Sequence, residues 1–140
     1  MRVIIGYGNT LRGEDAFGVD VLKELEKFEP KETTLVTAFA LIPELILELL
    51  EADEVVFVDA CYSKTDHYAL ACNMLIQQTP QFSHHISPEI LISMLKTLYN
   101  RQPKYFIYSM FSNSYEKIKN KSKYQKCIYT LALHLAAHKE

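Results

Sequence analysis

The chain is poor in the features that most often announce a function. Three cysteines in 140 residues, Cys61, Cys72 and Cys127, are odd in number, widely spaced and without a CxxC pair. They suggest neither a disulfide framework nor a zinc ribbon, and read as buried reduced thiols. The formal net charge of -2 excludes the basic signature of a nucleic-acid or acidic-membrane binder. No apolar run approaches the roughly 18 residues needed to span a bilayer, and charged Arg2 followed by a short strand-like run and Gly6 does not resemble a signal peptide. A cytoplasmic protein without a membrane or nucleic-acid partner is the expectation. Repeats, low-complexity tracts and interdomain linkers are also missing. The basic residues between Lys117 and Lys126 read as a solvated helix face.

What is present is ample apolar material for one core. Nearly half of the residues are apolar, enough for a single domain over residues 1–140 and too little for two. Hydrophobic periodicity alternates along the chain. Arg2 to Gly6 reads as a strand and Ala16 to Phe28 as a helix; Thr33 to Ala40 is a second strand and Pro43 to Leu50 a compact helix. EVVFVD, Glu54 to Asp59, is the clearest strand, with four consecutive apolar residues as burial on both faces requires. Tyr68 to Ile76 is a fourth strand. Ser87 and Pro88 open a helix to about Asn100, with Ile90, Leu91, Met94, Leu95 and Leu98 on its buried side. Lys104 to Ser109 is the last strand, and a helix from Ser114 to Ala137 follows. The expected fold is a three-layer α/β sandwich: a mostly parallel, twisted sheet of about five strands with helices on both faces.

The chemistry concentrates between Gly6 and Gly18, where the first strand empties into a glycine turn. GYGNTL begins like a dinucleotide motif, but Leu11 stands where its third glycine belongs. Glu14 and Asp15 then sit at the coming helix start, where two carboxylates repel a phosphate. Asp15 there also has a plain helix-stabilising role. A parallel sheet carries the residues that follow its strands to one edge. Glu14 follows the first strand, Asp59 closes the third, and His84 and His85 lie after the fourth. Two carboxylates and an imidazole suit a borderline divalent ion such as nickel or zinc, with coordination positions left open. The other histidines, His67, His134 and His138, read as surface residues, and the tyrosines as packing with wet hydroxyls.

These residues together resemble the hydrogenase maturation proteases, endopeptidases that trim the carboxyl terminus of the large subunit of nickel-iron hydrogenases. The resemblance lies in GYGN at Gly6 to Asn9, GED at Gly13 to Asp15 running into FGVDV, VDA at Val58 to Ala60, and SHHISP at Ser83 to Pro88, in that order. It implies a metal-contacting set of Glu14, Asp59 and a histidine of the SHHISP loop. His84 fits best, because it leaves two residues before the Ser87 and Pro88 pair, with His85 as the alternative. Glu14 and Asp59 are by the same token the implied catalytic carboxylates, while Asn9, Gly13 and Asp15 shape or support the pocket. Nickel is implied as an ion carried by the substrate, the precursor of a hydrogenase large subunit, and another divalent ion could stand in for it in a crystal. Action as a monomer is expected. The chain departs from the family pattern at Ala16, in the tract from Cys61 to Tyr68, which lacks the usual proline and glycine, and at Met110 to Ser114, which lacks the customary glycines. No Ser, His and Asp arrangement with a nucleophile elbow is visible and Cys61 is a poor nucleophile, so water attack with a carboxylate base is the expected chemistry. A metal-dependent chaperone acting on the same subunit is the alternative, and a nucleotide-binding domain a more distant one.

Overall fold

The computed structural model describes residues 1–73, 86–114 and 116–137. The strands are β1 (Arg2–Tyr7), β2 (Thr33–Ala38), β3 (Glu54–Tyr62), β4 (Ala69–Cys72) and β5 (Lys104–Ser112). They form one sheet in the order β2-β1-β3-β5-β4, parallel except for β4, which runs antiparallel to β5 at one edge. The α-helices are α1 (Phe17–Glu26), α2 (Pro88–Tyr99) and α3 (Lys121–Ala137), joined by 3-10 turns at Gly13–Ala16 and Pro43–Leu49. Among the described residues no helix is long and apolar enough to cross a membrane.

Strand alternation splits the core into two layers. Ile4, Val56 and Val58 face α1 and α3, meeting Phe17, Leu22, Leu25, Tyr124, Ile128 and Leu131. Val3, Ile5, Val55 and Phe57 face the opposite way and pack on Leu41, Leu49, Leu91 and Leu95. The three-layer arrangement expected from the sequence is the one observed. Boundaries differ where tertiary contacts decide them. The compact helix at Pro43 is a 3-10 turn, and α2 buries Leu91, Ile92 and Leu95 while leaving Ile90 and Leu98 exposed. Ser87 caps α2 as expected, its Oγ accepting the Ile90 N–H at 3.2 Å. The fourth strand is described only as far as Cys72; residues 74–76 of the expected span, with His84 and His85, lie outside the described residues.

Two differences bear on the site. β3 and β5 run on past Asp59 and Ser109, paired as far as Tyr62 and Ser112, whereas β1 pairs with β3 only as far as Gly6 and Val58. Asp59 therefore lies just past the end of the β1 ladder, beside Ser109. α3 starts seven residues later than the periodicity suggests, at Lys121, because the preceding segment is held elsewhere: the Lys119 N–H donates to Glu14. Asn120 then caps the helix, its Oδ1 accepting the Lys123 N–H at 3.0 Å.

Candidate active site

The acidic pair at the end of β1 is divided by its backbone. Both residues sit in the 3-10 turn that precedes α1, and their side chains take opposite routes. Glu14 turns inward and is fully buried. Its Oε1 accepts the Ser112 hydroxyl at 2.5 Å and lies 2.8 Å from His67 Nε2; its Oε2 accepts the Tyr68 hydroxyl at 2.5 Å and the Lys119 N–H at 3.1 Å. A carboxylate offers about four lone-pair positions, and all are engaged. Burial works to raise the Glu14 pKa, but hydrogen bonds from Ser112, Tyr68, His67 and Lys119 outweigh it and leave the group below its ordinary value.

This geometry corrects the role expected for Glu14. An enclosed, fully hydrogen-bonded carboxylate has no electron pair to offer a substrate, so it joins segments of the chain instead. Those segments are the β1–α1 turn, the β3–β4 loop, the end of β5 and the residues before α3. His67, expected at the surface, is half-buried here and stacks on Tyr68 with ring centroids 3.7 Å apart. Tyr68 holds a left-handed backbone, φ +59°, a conformation that costs a non-glycine residue on the order of 1–2 kcal/mol. Its hydroxyl compensates by donating to Glu14 and accepting the Asn120 N–H at 2.8 Å. The tract from Cys61 to Tyr68, without proline or glycine, thus ends in a tyrosine tied down at its tip.

Asp15 is the member of the pair that shares the sheet edge with Asp59. The Asn9 N–H donates to Asp15 Oδ2 at 3.1 Å, and the Asp15 charge is near enough to raise the pKa of Asp59. Gly8 makes this turn possible: at φ +151° a Cβ there would lie 1.9 Å from the Asp15 carbonyl oxygen. Gly13, at φ +48°, packs directly against the Lys117 backbone. Beside the turn lies a recess of about 190 Å³ lined by Gly8, Thr10, Val19, Thr37, Ala38 and Phe39.

Asp59 is half-buried and bound on both oxygens. Ser109 donates to Oδ1 at 2.6 Å, Cys61 Sγ lies 3.5 Å from Oδ1, and the Tyr7 hydroxyl donates to Oδ2 at 2.6 Å. Burial raises its pKa more than the Ser109, Tyr7 and Cys61 hydrogen bonds lower it, and Asp15 adds to the rise. Burial and the Asp59 charge also push the Cys61 thiol up, which disfavours the thiolate a nucleophile needs. Among the described residues no group of three or more His, Cys, Asp and Glu side chains is arranged to hold a metal.

Sequence alone gathered the acids after β1 and β3 at one sheet edge, and it did not single out their partners Tyr7, Ser109, His67, Tyr68 and Ser112. Position offered a signal for some of them: Tyr7 ends β1, and Ser109 and Ser112 lie toward the end of β5, all on the edge where the acids gather.

The fold is shared with solved peptidases of hydrogenase maturation. The nickel-iron hydrogenase maturation protease HycI from Thermococcus kodakarensis KOD1 superposes with a TM-score of 0.73 at 22% identity, covering 96% of this chain and 89% of that one. The hydrogenase maturating endopeptidase HybD from E. coli gives 0.71 at 20% identity, covering 96% and 88%. A hydrogenase 2 maturation peptidase from a Thaumarchaeota archaeon gives 0.66 at 15% identity, covering 96% and 94%. No protein-family model matches the chain, and no curated protein matches it. The likeness establishes a common fold over almost the whole chain.

Proposed function

We propose that this chain is a hydrogenase maturation protease: a cytoplasmic endopeptidase, acting as a monomer, that removes the carboxyl-terminal peptide from the nickel-loaded precursor of a nickel-iron hydrogenase large subunit. The observation that carries the reading is the position of Asp15 in the turn after β1 and of Asp59 just past the end of the β1–β3 ladder, at the carboxyl edge of a sheet whose fold is that of such proteases. The ordered GYGN, GED, VDA and SHHISP motifs point the same way.

In this reading the nickel belongs to the substrate. Asp15 and Asp59 meet it together with His84, or His85 as the alternative, and Asp15 takes the place that the resemblance gave to Glu14. Asn9 and Gly13 shape the turn that presents Asp15, and Glu14 holds that turn from behind. Oxygen and imidazole donors suit a borderline divalent ion. In this reading water adds to the scissile carbonyl carbon, one of the two carboxylates accepts its proton and returns it to the departing amine, and the C–N bond breaks to release the carboxyl-terminal peptide.

The test is the mass of the precursor after incubation with the purified protein. Loss of a short carboxyl-terminal fragment supports the assignment. Stable binding with an unchanged mass would instead identify a docking chaperone.

A further inference from the structure

Asp59 is held by three donors, and they fall unevenly on its two oxygens. Two lone-pair positions per oxygen are available to an ionised carboxylate. Ser109 and Cys61 both engage Oδ1, whereas Tyr7 alone engages Oδ2. Among the described residues, the remaining acceptor position is therefore on Oδ2. The donors come from three adjacent strands, β5, β3 and β1, so the carboxylate is fixed in the frame of the sheet. Tyr7 has a further connection, since it directly precedes Gly8, the residue packed against the Asp15 carbonyl.

Resting on the reading that Asp59 meets a substrate-borne cation, we infer that Tyr7 is a positioning residue that, with Ser109, restricts Asp59 to a one-oxygen contact through Oδ2. A two-oxygen grip would require Oδ1 to give up one of its donors, the buried Ser109 hydroxyl at 2.6 Å or the Cys61 thiol at 3.5 Å, whereas Oδ2 can accept a cation with Tyr7 still in place. The contact is thereby single and directional. That suits reading an ion already held by the client, where a chelating carboxylate pair would compete for it. The Tyr7 hydroxyl also ties Asp59 to the turn carrying Asp15, so the spacing of the two carboxylates is set before the client arrives.

A tyrosine hydroxyl that merely finds a polar partner gives the same static picture, and a double-mutant cycle separates the two. The affinity of nickel-loaded and nickel-free precursor is measured for the native chain, Tyr7→Phe, Asp59→Asn and the double variant. Loss of a group that orients a metal ligand typically costs about 10–100-fold. Tyr7→Phe is expected to weaken binding of nickel-loaded precursor about 10-fold, to leave nickel-free binding unchanged, and to have no further effect in the Asp59→Asn background. Ser109→Ala should behave alike, and Ser109→Thr should restore affinity. Equal losses with and without Asp59, or no loss at all, overturn the positioning role. If the native chain does not prefer nickel-loaded precursor, the underlying reading fails and takes this inference with it.

Discussion

The Ser112 hydroxyl donates to Glu14 Oε1 at 2.5 Å across 98 positions of sequence. This bond joins the end of β5 to the turn that follows β1, the two sides of the edge on which Asp15 and Asp59 stand. It makes Glu14 a tie between segments of the chain.

Glu14→Gln should therefore destabilise the protein. An amide nitrogen would face groups that donate to the carboxylate, leaving donors unmatched at a buried position, at a cost of roughly 2–4 kcal/mol. Asp59→Asn keeps its shape at a position where burial already opposes the charge, and should change stability by less than about 1.5 kcal/mol while abolishing processing. Urea unfolding of the two variants beside a processing assay distinguishes the roles. Equal stability losses would contradict them.

Acid should act through the same carboxylate. The Glu14 pKa is lower folded than its ordinary value of 4.5. Its contribution to stability is thus fully present above that ordinary value and is lost as pH falls below it through the depressed native value. Stability measured by denaturant between neutral pH and strong acid should fall more steeply in this window for the native chain than for Glu14→Gln.

Gly8→Ala should disable the site through the backbone. A Cβ 1.9 Å from the Asp15 carbonyl oxygen, at φ +151°, forces the turn to move; strained positions of this kind cost on the order of 1–3 kcal/mol. Lower thermal stability with loss of processing is expected. Gly13→Ala should also lower stability, because Lys117 leaves no room for its Cβ.

Much of the fold was legible because periodicity and burial agree. Val55 to Val58 had to be a strand covered on both faces, and Ser87 with Pro88 had to begin a helix. The site was legible as a place, since a parallel sheet sends Glu14, Asp15 and Asp59 to one edge. Which acid faces inward was not, because adjacent residues in a turn diverge according to contacts made by Tyr68, Ser112 and Lys119, up to 105 positions away. The later start of α3 has the same origin: the Lys119 bond to Glu14 is invisible to helical periodicity. Sequence pattern reports which face a residue favours within its own element, whereas Glu14 is placed by other elements.

The central claim is that Asp15 and Asp59 read a nickel ion carried by the client. Its most direct measurement is the rate of processing of nickel-loaded and nickel-free precursor by the native chain, Asp15→Asn and Asp59→Asn. Rapid cleavage of the nickel-loaded form by the native chain alone is expected, with the nickel-free form left intact. Equal cleavage of the two forms, or full activity in both variants, would contradict it.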